Sequence, residues 1–170
     1  GSRAVWAERL LELRERYPDR VHLVVADLWQ LPFADRSFDL VLGFRLLAHV
    51  EATEPLVREM ARVSGDVVIA DYAPLWSANL LEPLLFRIKR LMEGNTRPYF
   101  CYTGGRLRRW LGAAGFAGFR QARQFWVPMV IHRKLGSPER SSRLEAIGRR
   151  LGLTALIGAP VVFLARRQTA

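Results

Sequence analysis

Three short polar segments each follow an apolar run of the sequence, at positions where a bound small molecule is commonly held. The segments are Asp27-Leu28-Trp29, Gly43-Phe44-Arg45 and Asp71-Tyr72. In an open α/β sheet, ligands bind in the crevice at the carboxyl ends of the strands. If the three apolar runs are strands of one sheet, the sequence predicts a ligand site along one edge of it.

Several side chains near these segments have chemistry of their own. His49 follows the second segment, and an imidazole that titrates near neutral pH is a candidate general base, with a structural role as the alternative. Arg45 either binds a carboxylate or phosphate of a substrate or reaches solvent. Asp71 and Tyr72 orient a substrate, or Tyr72 packs in the core.

Alternating helices and strands must position these residues. An amphipathic helix is predicted over Arg3–Tyr17, and a second begins near Thr53, with Pro55 in its first turn. Further helices begin at Thr103 and at Ser137-Pro138. The predicted strands are Val21–Ala26, Phe38–Gly43, Asp66–Ala70, Phe119–Val127 and Pro160–Ala165. This order indicates an α/β fold, with one domain over residues 1–170.

Composition excludes several classes of protein. The single cysteine, Cys101, rules out a disulfide framework and a cysteine-based zinc site, and we expect a reducing cytoplasm. The formal charge of +10 comes almost wholly from arginines scattered over the chain, without a nucleic-acid-binding signature, so nucleic acid is not the expected main partner. No apolar run reaches the length of a membrane-spanning helix.

The central motifs resemble those of a known family. The string AD-x-x-x-LPF-x-D-x-SFDLV over residues 26–41, the loop that contains His49 and the string REMARV at residues 58–63 resemble the middle of class I S-adenosylmethionine-dependent methyltransferases of the type 11 kind. The resemblance implies a Rossmann-like sheet, parallel with an antiparallel C-terminal strand pair. The family's glycine-rich cofactor loop does not precede Val21, and its first two strands would lie before residue 1.

The resemblance also implies roles for individual residues. Asp27 would accept a hydrogen bond from the adenine amino group of S-adenosylmethionine, Leu28 would contact the ring through its backbone, and Trp29 would pack on it. Phe44 and Arg45 would hold the methionine part. The family places a substrate cover at about residues 74–102, where Trp76, Arg97 and Tyr99 join Tyr72 as candidate substrate contacts. No metal is implied.

The implied activity is methyl transfer to a small molecule. The broad apolar face of residues 80–92 favours a hydrophobic substrate, and a dimer contact, a membrane-surface helix and ordinary core remain the alternatives for that face. Without the first two strands the sheet has an unpaired edge, so we expect either a preceding segment or a swapped partner chain to complete it, and residues 1–170 alone to be inactive. A non-catalytic interaction module and a nucleotide-binding oxidoreductase are the rival functions.

Overall fold

The computed structural model of the protein describes residues 2–75, 100–127 and 136–168. The chain divides into two units, Gly1–Pro32 and Phe33–Ala170. The second unit contains the sheet and therefore most of the positions predicted to carry function.

The first unit consists of one helix followed by irregular chain. Helix α1 covers Ser2–Arg16, close to the predicted Arg3–Tyr17, and a turn at Tyr17 ends it. The predicted apolar face is not buried, because Leu10, Leu13 and Tyr17 are exposed. The prediction of a strand over Val21–Ala26 is wrong, because these residues form no ladder with another strand among the described residues. Val25 is fully exposed. An apolar run becomes a strand only when a partner supplies its backbone hydrogen bonds.

The second unit is built on a mixed five-stranded sheet, which confirms the predicted α/β fold class. Its strands are β1 (Phe38–Gly43), β2 (Ser64–Pro74), β3 (Cys101–Tyr102), β4 (Phe116–Phe125) and β5 (Ala159–Arg167). The order is β1-β2-β5-β4, and β3 pairs with the carboxyl end of β2. β1 and β2 are parallel, whereas β5 runs antiparallel to both β2 and β4. The predicted antiparallel pair near the carboxyl end is confirmed.

Four helices accompany the sheet in the described part of the second unit. They are α2 (Thr53–Val63), α3 (Gly104–Ala113), α4 (Pro138–Arg150) and α5 (Leu153–Ile157). Thr103 and Ser137 cap α3 and α4, each accepting a hydrogen bond from the backbone three residues on. Thr53 is not the predicted cap of α2, because Ala52 occupies that position and the Thr53 hydroxyl bonds elsewhere. No described helix is long and apolar enough to cross a membrane.

One face of the sheet carries the core. Alternate residues of β2 and β5 point towards α2 and α3, and all are almost completely buried: Val68, Ala70 and Tyr72 on β2, and Val161, Phe163 and Ala165 on β5. Met60 of α2 lies so close to Gly43 that a Cβ there would meet the methionine methyl group. This packing fixes the carboxyl end of β1 against α2.

The opposite face of the sheet presents apolar residues to the outside. Phe38, Leu40 and Leu42 alternate along β1 and are 40%, 46% and 57% exposed. Leu42 is in register with Ile69 of β2, which in turn pairs with Leu164 of β5. β1 is also one of the two edge strands of the sheet among the described residues, the other being β4. Folded proteins usually cover or pair an edge strand that has an exposed apolar face.

Arg167, at the end of β5, joins three elements. Its guanidinium donates to the carbonyl oxygens of Ala61, Ser64 and Ala114 over 2.6, 2.8 and 3.2 Å, and it lies 4.6 Å from the centre of the Phe116 ring. Ala61 is in the last turn of α2 and Ala114 caps the carboxyl end of α3, where backbone carbonyls lack helical partners. A cation at two helix carboxyl ends is favourably placed.

Candidate functional site

β1 ends at Gly43, opposite Ala70 of the parallel strand β2, which continues to Pro74. The prediction that Asp71 and Tyr72 follow a strand is therefore wrong, because both lie within β2 and pair with β5. Arg45 follows β1 with a φ of 55°, in the left-handed region that non-glycine residues rarely enter. The backbone N–H of Arg45 donates to Oδ1 of Asp71, a carboxylate only 8% exposed. Phe44 is 55% exposed beside it. The structure thus brings two of the three predicted polar segments together.

The next segment along the chain holds His49 at the surface. Leu47–His49 forms a single turn of 3-10 helix whose first two residues are buried, whereas His49 is exposed. The N–H of Phe100 donates to the carbonyl of Ala48 over 2.8 Å, which ties this turn to the start of β3. The histidine backbone is therefore held firmly while its imidazole faces outward.

A pair of buried hydroxyl groups supports the same turn. Thr53 Oγ1 lies 2.6 Å from the carbonyl of Val50 and 2.6 Å from the hydroxyl of Tyr102. A threonine hydroxyl has one proton to donate. If Thr53 gives it to Val50, Tyr102 must donate to Thr53, so β3 is bonded to the start of α2. The sequence signals this contact only weakly, since it joins residues 49 positions apart.

Tyr72 lies in the core. Its side chain is 4% exposed and packs against Phe163, with ring centres 6.3 Å apart. Its hydroxyl donates to Oε1 of Gln121 over 3.1 Å, and a Cβ on Gly104 would lie 2.9 Å from it. Burial raises the pKa of this tyrosine, and the nearby charge of Arg123 opposes the shift. The packing alternative is thus observed, and a substrate contact by Tyr72 stays a prediction.

In the first unit, Asp27 forms a local turn. Its Oδ1 accepts the N–H of Trp29 over 2.9 Å, and a backbone bridge joins Asp27 to Gln30. The Leu28 and Trp29 side chains are 38% and 47% exposed. The turn thus orients the Asp27 carboxylate beside an exposed tryptophan.

The remaining candidate substrate residues, Trp76, Arg97 and Tyr99, lie outside the described residues, as does most of the predicted cover at about 74–102. Its two ends are described, and they belong to β2 and β3. The sequence alone did not reveal that Asp71 bonds to Arg45. The only sequence signals of this hydrogen bond are the acid Asp71 after one apolar run and Arg45 shortly after Gly43, the last residue of another run.

A cleft of about 350 Å³ opens between the amino ends of α2 and α3. Aromatic and charged residues line it, among them Glu51, Glu54, Phe100, Arg106 and Trp110. Arg106 stacks on the Trp110 ring, 5.7 Å from its centre. Within the part of the chain that the structure describes, no group of three or more histidines, cysteines and acids is placed to hold a metal ion.

Comparison with known sequences points to methyltransferases. Residues 5–68 match the family model described as a methyltransferase domain. Ajmaline N-methyltransferase of Rauvolfia serpentina is 32% identical over 90 residues, which is 48% of this chain and 30% of that protein. Methyltransferase GfsG of Streptomyces halstedii is 40% identical over 60 residues, 34% of this chain and 22% of that protein. The chain thus spans less than one third of the length of these relatives.

Comparison with solved structures gives the same fold. Magnesium protoporphyrin IX methyltransferase of Synechocystis PCC 6803, solved with bound S-adenosylhomocysteine, aligns over 95% of this chain and 58% of its own, with a TM-score of 0.56 and 16% identity. A S-adenosylmethionine-dependent methyltransferase of Thermotoga maritima aligns over 92% of this chain and 70% of its own, with a TM-score of 0.55 and 16% identity. At these identities the likeness concerns the fold.

Proposed function

Starting from the class I S-adenosylmethionine-dependent methyltransferase character that sequence and fold comparisons both support, we propose that this chain is part of an enzyme that methylates a small molecule. The observation that carries the proposal is the contact at the carboxyl end of β1, where Phe44 and Arg45 leave the sheet and the Arg45 N–H meets Asp71 of the parallel strand β2. Such strand ends form the rim where α/β sheets bind their ligands.

The residues present suit S-adenosylmethionine. The Asp27 carboxylate, already oriented by the Trp29 N–H, would accept a hydrogen bond from the adenine amino group, and Trp29, which is 47% exposed, would pack on the adenine. The backbone of Phe44 and Arg45, fixed by Asp71, would hold the methionine part. In this proposal Leu28 would lie beside the adenine ring.

The chemistry demands little of the protein beyond alignment. Bound S-adenosylmethionine supplies a methyl group on a sulfonium, which is already a strong electrophile. The side chains around the rim need to hold the acceptor atom in line with that methyl group and to exclude water. Where the acceptor carries a proton of high pKa, His49 Nδ1 or Nε2 would take it, since the imidazole faces outward from a well-anchored turn.

The substrate in this proposal is the molecule that accepts the methyl group. We propose a small molecule, and the apolar residues predicted to cover the site favour a hydrophobic one. Tyr72, Trp76, Arg97 and Tyr99 are its proposed contacts. A cytoplasmic location also stays a prediction, based on the single cysteine of the chain.

Further strands complete the sheet in this proposal. The edge of β1 and the exposed row of Phe38, Leu40 and Leu42 offer a backbone ladder and an apolar surface. Either a preceding segment of the same protein or a swapped partner chain would cover them, and residues 1–170 alone would be inactive. The intact mass of the protein from its native source tests this, because a mass equal to these 170 residues would count against a preceding segment.

Calorimetric binding of S-adenosylhomocysteine to the full-length gene product tests the function. The Asp27→Ala variant should bind about tenfold or more weakly, because it loses a hydrogen bond made by a charged group. Asp19→Ala is the matched control, since Asp19 is also an exposed acid of the first unit. Binding by the control should equal that of the unaltered protein.

The same measurement separates the rival functions. No binding of S-adenosylhomocysteine by the full-length product would favour a non-catalytic, methyltransferase-like interaction module. Equal binding by the Asp27→Ala and Asp19→Ala variants would retain the enzyme but remove Asp27 from the cofactor site.

A further inference from the structure

The turn after β1 has a conformation that its own sequence does not favour. Arg45 has a φ of 55°, although arginine carries a Cβ that crowds the backbone in the left-handed region. A non-glycine residue is disfavoured there by roughly 5- to 30-fold. Some neighbouring group must therefore stabilise the turn.

Asp71 is that group among the described residues. Its Oδ1 accepts the Arg45 N–H, and the residue is 8% exposed within the neighbouring strand β2. A hydrogen bond to a charged group raises the equilibrium population of the bonded conformation about tenfold or more. This gain is enough to offset the penalty of the left-handed conformation.

A second turn in the same unit gives a comparison. Arg36 has a φ of 56°, and its N–H donates to the backbone carbonyl of Arg62 over 2.9 Å. Both left-handed arginines thus have their N–H groups anchored from a neighbouring element. At Arg36, which precedes β1, the acceptor is a neutral backbone carbonyl. At Arg45, on the ligand-binding rim, the anchor is a buried acid.

We propose that Asp71 is a positioning residue, whose carboxylate holds the Phe44–Arg45 backbone in the shape that binds the methionine part of the cofactor. This rests on the proposed function. Asp71 acts through the turn and does not itself touch the reacting atoms. Its removal frees Arg45 to leave the left-handed region, and the backbone groups that bind the cofactor move with it.

The test measures S-adenosylhomocysteine binding by calorimetry on the full-length gene product. Asp71→Ala should weaken binding about tenfold or more, and Asp71→Asn should weaken it less, because an amide oxygen still accepts the bond. Asp66→Ala is the matched control, as Asp66 is an exposed acid at the other end of β2. Thermal unfolding of each variant measures how much of the protein is folded.

The decisive variant combines Asp71→Ala with Arg45→Gly. Glycine populates the left-handed region freely, so the double variant should recover several-fold of the lost binding if Asp71 acts through the turn. No recovery would overturn the inference and indicate direct contact with the ligand. Full binding by Asp71→Ala would overturn it while leaving the proposed function intact. An unaltered protein that fails to bind would overturn both.

If Asp71→Ala does not fold, Asp71→Asn takes its place in the same comparison. Weakened binding by Asp71→Asn, with recovery on adding Arg45→Gly, supports the inference. Weakened binding by folded Asp71→Asn that does not recover on adding Arg45→Gly contradicts it.

Discussion

Arg167 offers the sharpest test of what stabilises the second unit. Replacing it with methionine keeps most of the side-chain volume but removes the donors for the carbonyls of Ala61, Ser64 and Ala114. Each unsatisfied buried acceptor costs about 1–3 kcal/mol, partly relieved where water enters. Loss of the positive charge at two helix ends adds about 0.3–1 kcal/mol each. Burial of the guanidinium, which lowers the pKa of Arg167, and a buried Nε without a partner among the described residues offset part of this sum. We therefore expect Arg167→Met to lower the free energy of unfolding by about 3 kcal/mol.

Urea unfolding followed by far-ultraviolet circular dichroism measures this change. For a chain of this length the melting temperature should fall by about 6–12 °C. Arg167→Lys should cost about half as much, because an ammonium group keeps the charge but cannot reach all the carbonyls as a planar fork does. Arg166→Met is the control, since the neighbouring Arg166 is exposed. Equal stability of Arg167→Met and Arg166→Met would refute the reasoning.

Two further predictions concern glycine and tyrosine positions. Gly148→Ala should lower the free energy of unfolding by about 2 kcal/mol, because the new Cβ overlaps the indole of Trp126. Gly112→Ala, on the open side of α3, should raise it by about 0.5–1 kcal/mol. Thermal unfolding of both variants tests these opposite signs, and two changes of the same sign would contradict the packing. Burial raises the pKa of Tyr72 in the folded state. The free energy of unfolding should therefore be highest below the unfolded pKa of about 10 and should fall as the pH rises from there through the folded pKa. Urea unfolding across that range should show a flatter profile for Tyr72→Phe, and an identical slope would exclude Tyr72 as its source.

Local sequence patterns predicted much of the second unit. Thr103 and Ser137-Pro138 mark helix starts by side-chain chemistry that acts within three residues, and both caps are observed. The apolar run Phe38–Gly43 became β1 with the predicted bounds. These features succeed because their causes lie within a few positions of the chain.

The failures share a non-local cause. Val21–Ala26 has the composition of a strand, but a ladder depends on a partner elsewhere, and none is described for it. Thr53 has cap chemistry, yet its hydroxyl is engaged by Val50 and Tyr102. The contact of Asp71 with Arg45 joins residues 26 positions apart, and periodicity carries no information about such a pairing. The candidate site was therefore predicted as a set of loops, without its internal bonds.

The position of β5 in the sheet has a consequence for synthesis of the protein. β5 is the last described strand along the chain, but it lies between β2 and β4 and pairs with both. Until it leaves the ribosome, these two strands have no shared neighbour and their apolar edges stay open. A premature stop codon before Ala159 would therefore split the sheet into two pieces, and chaperone demand and aggregation in the cell should rise sharply for such a truncated product.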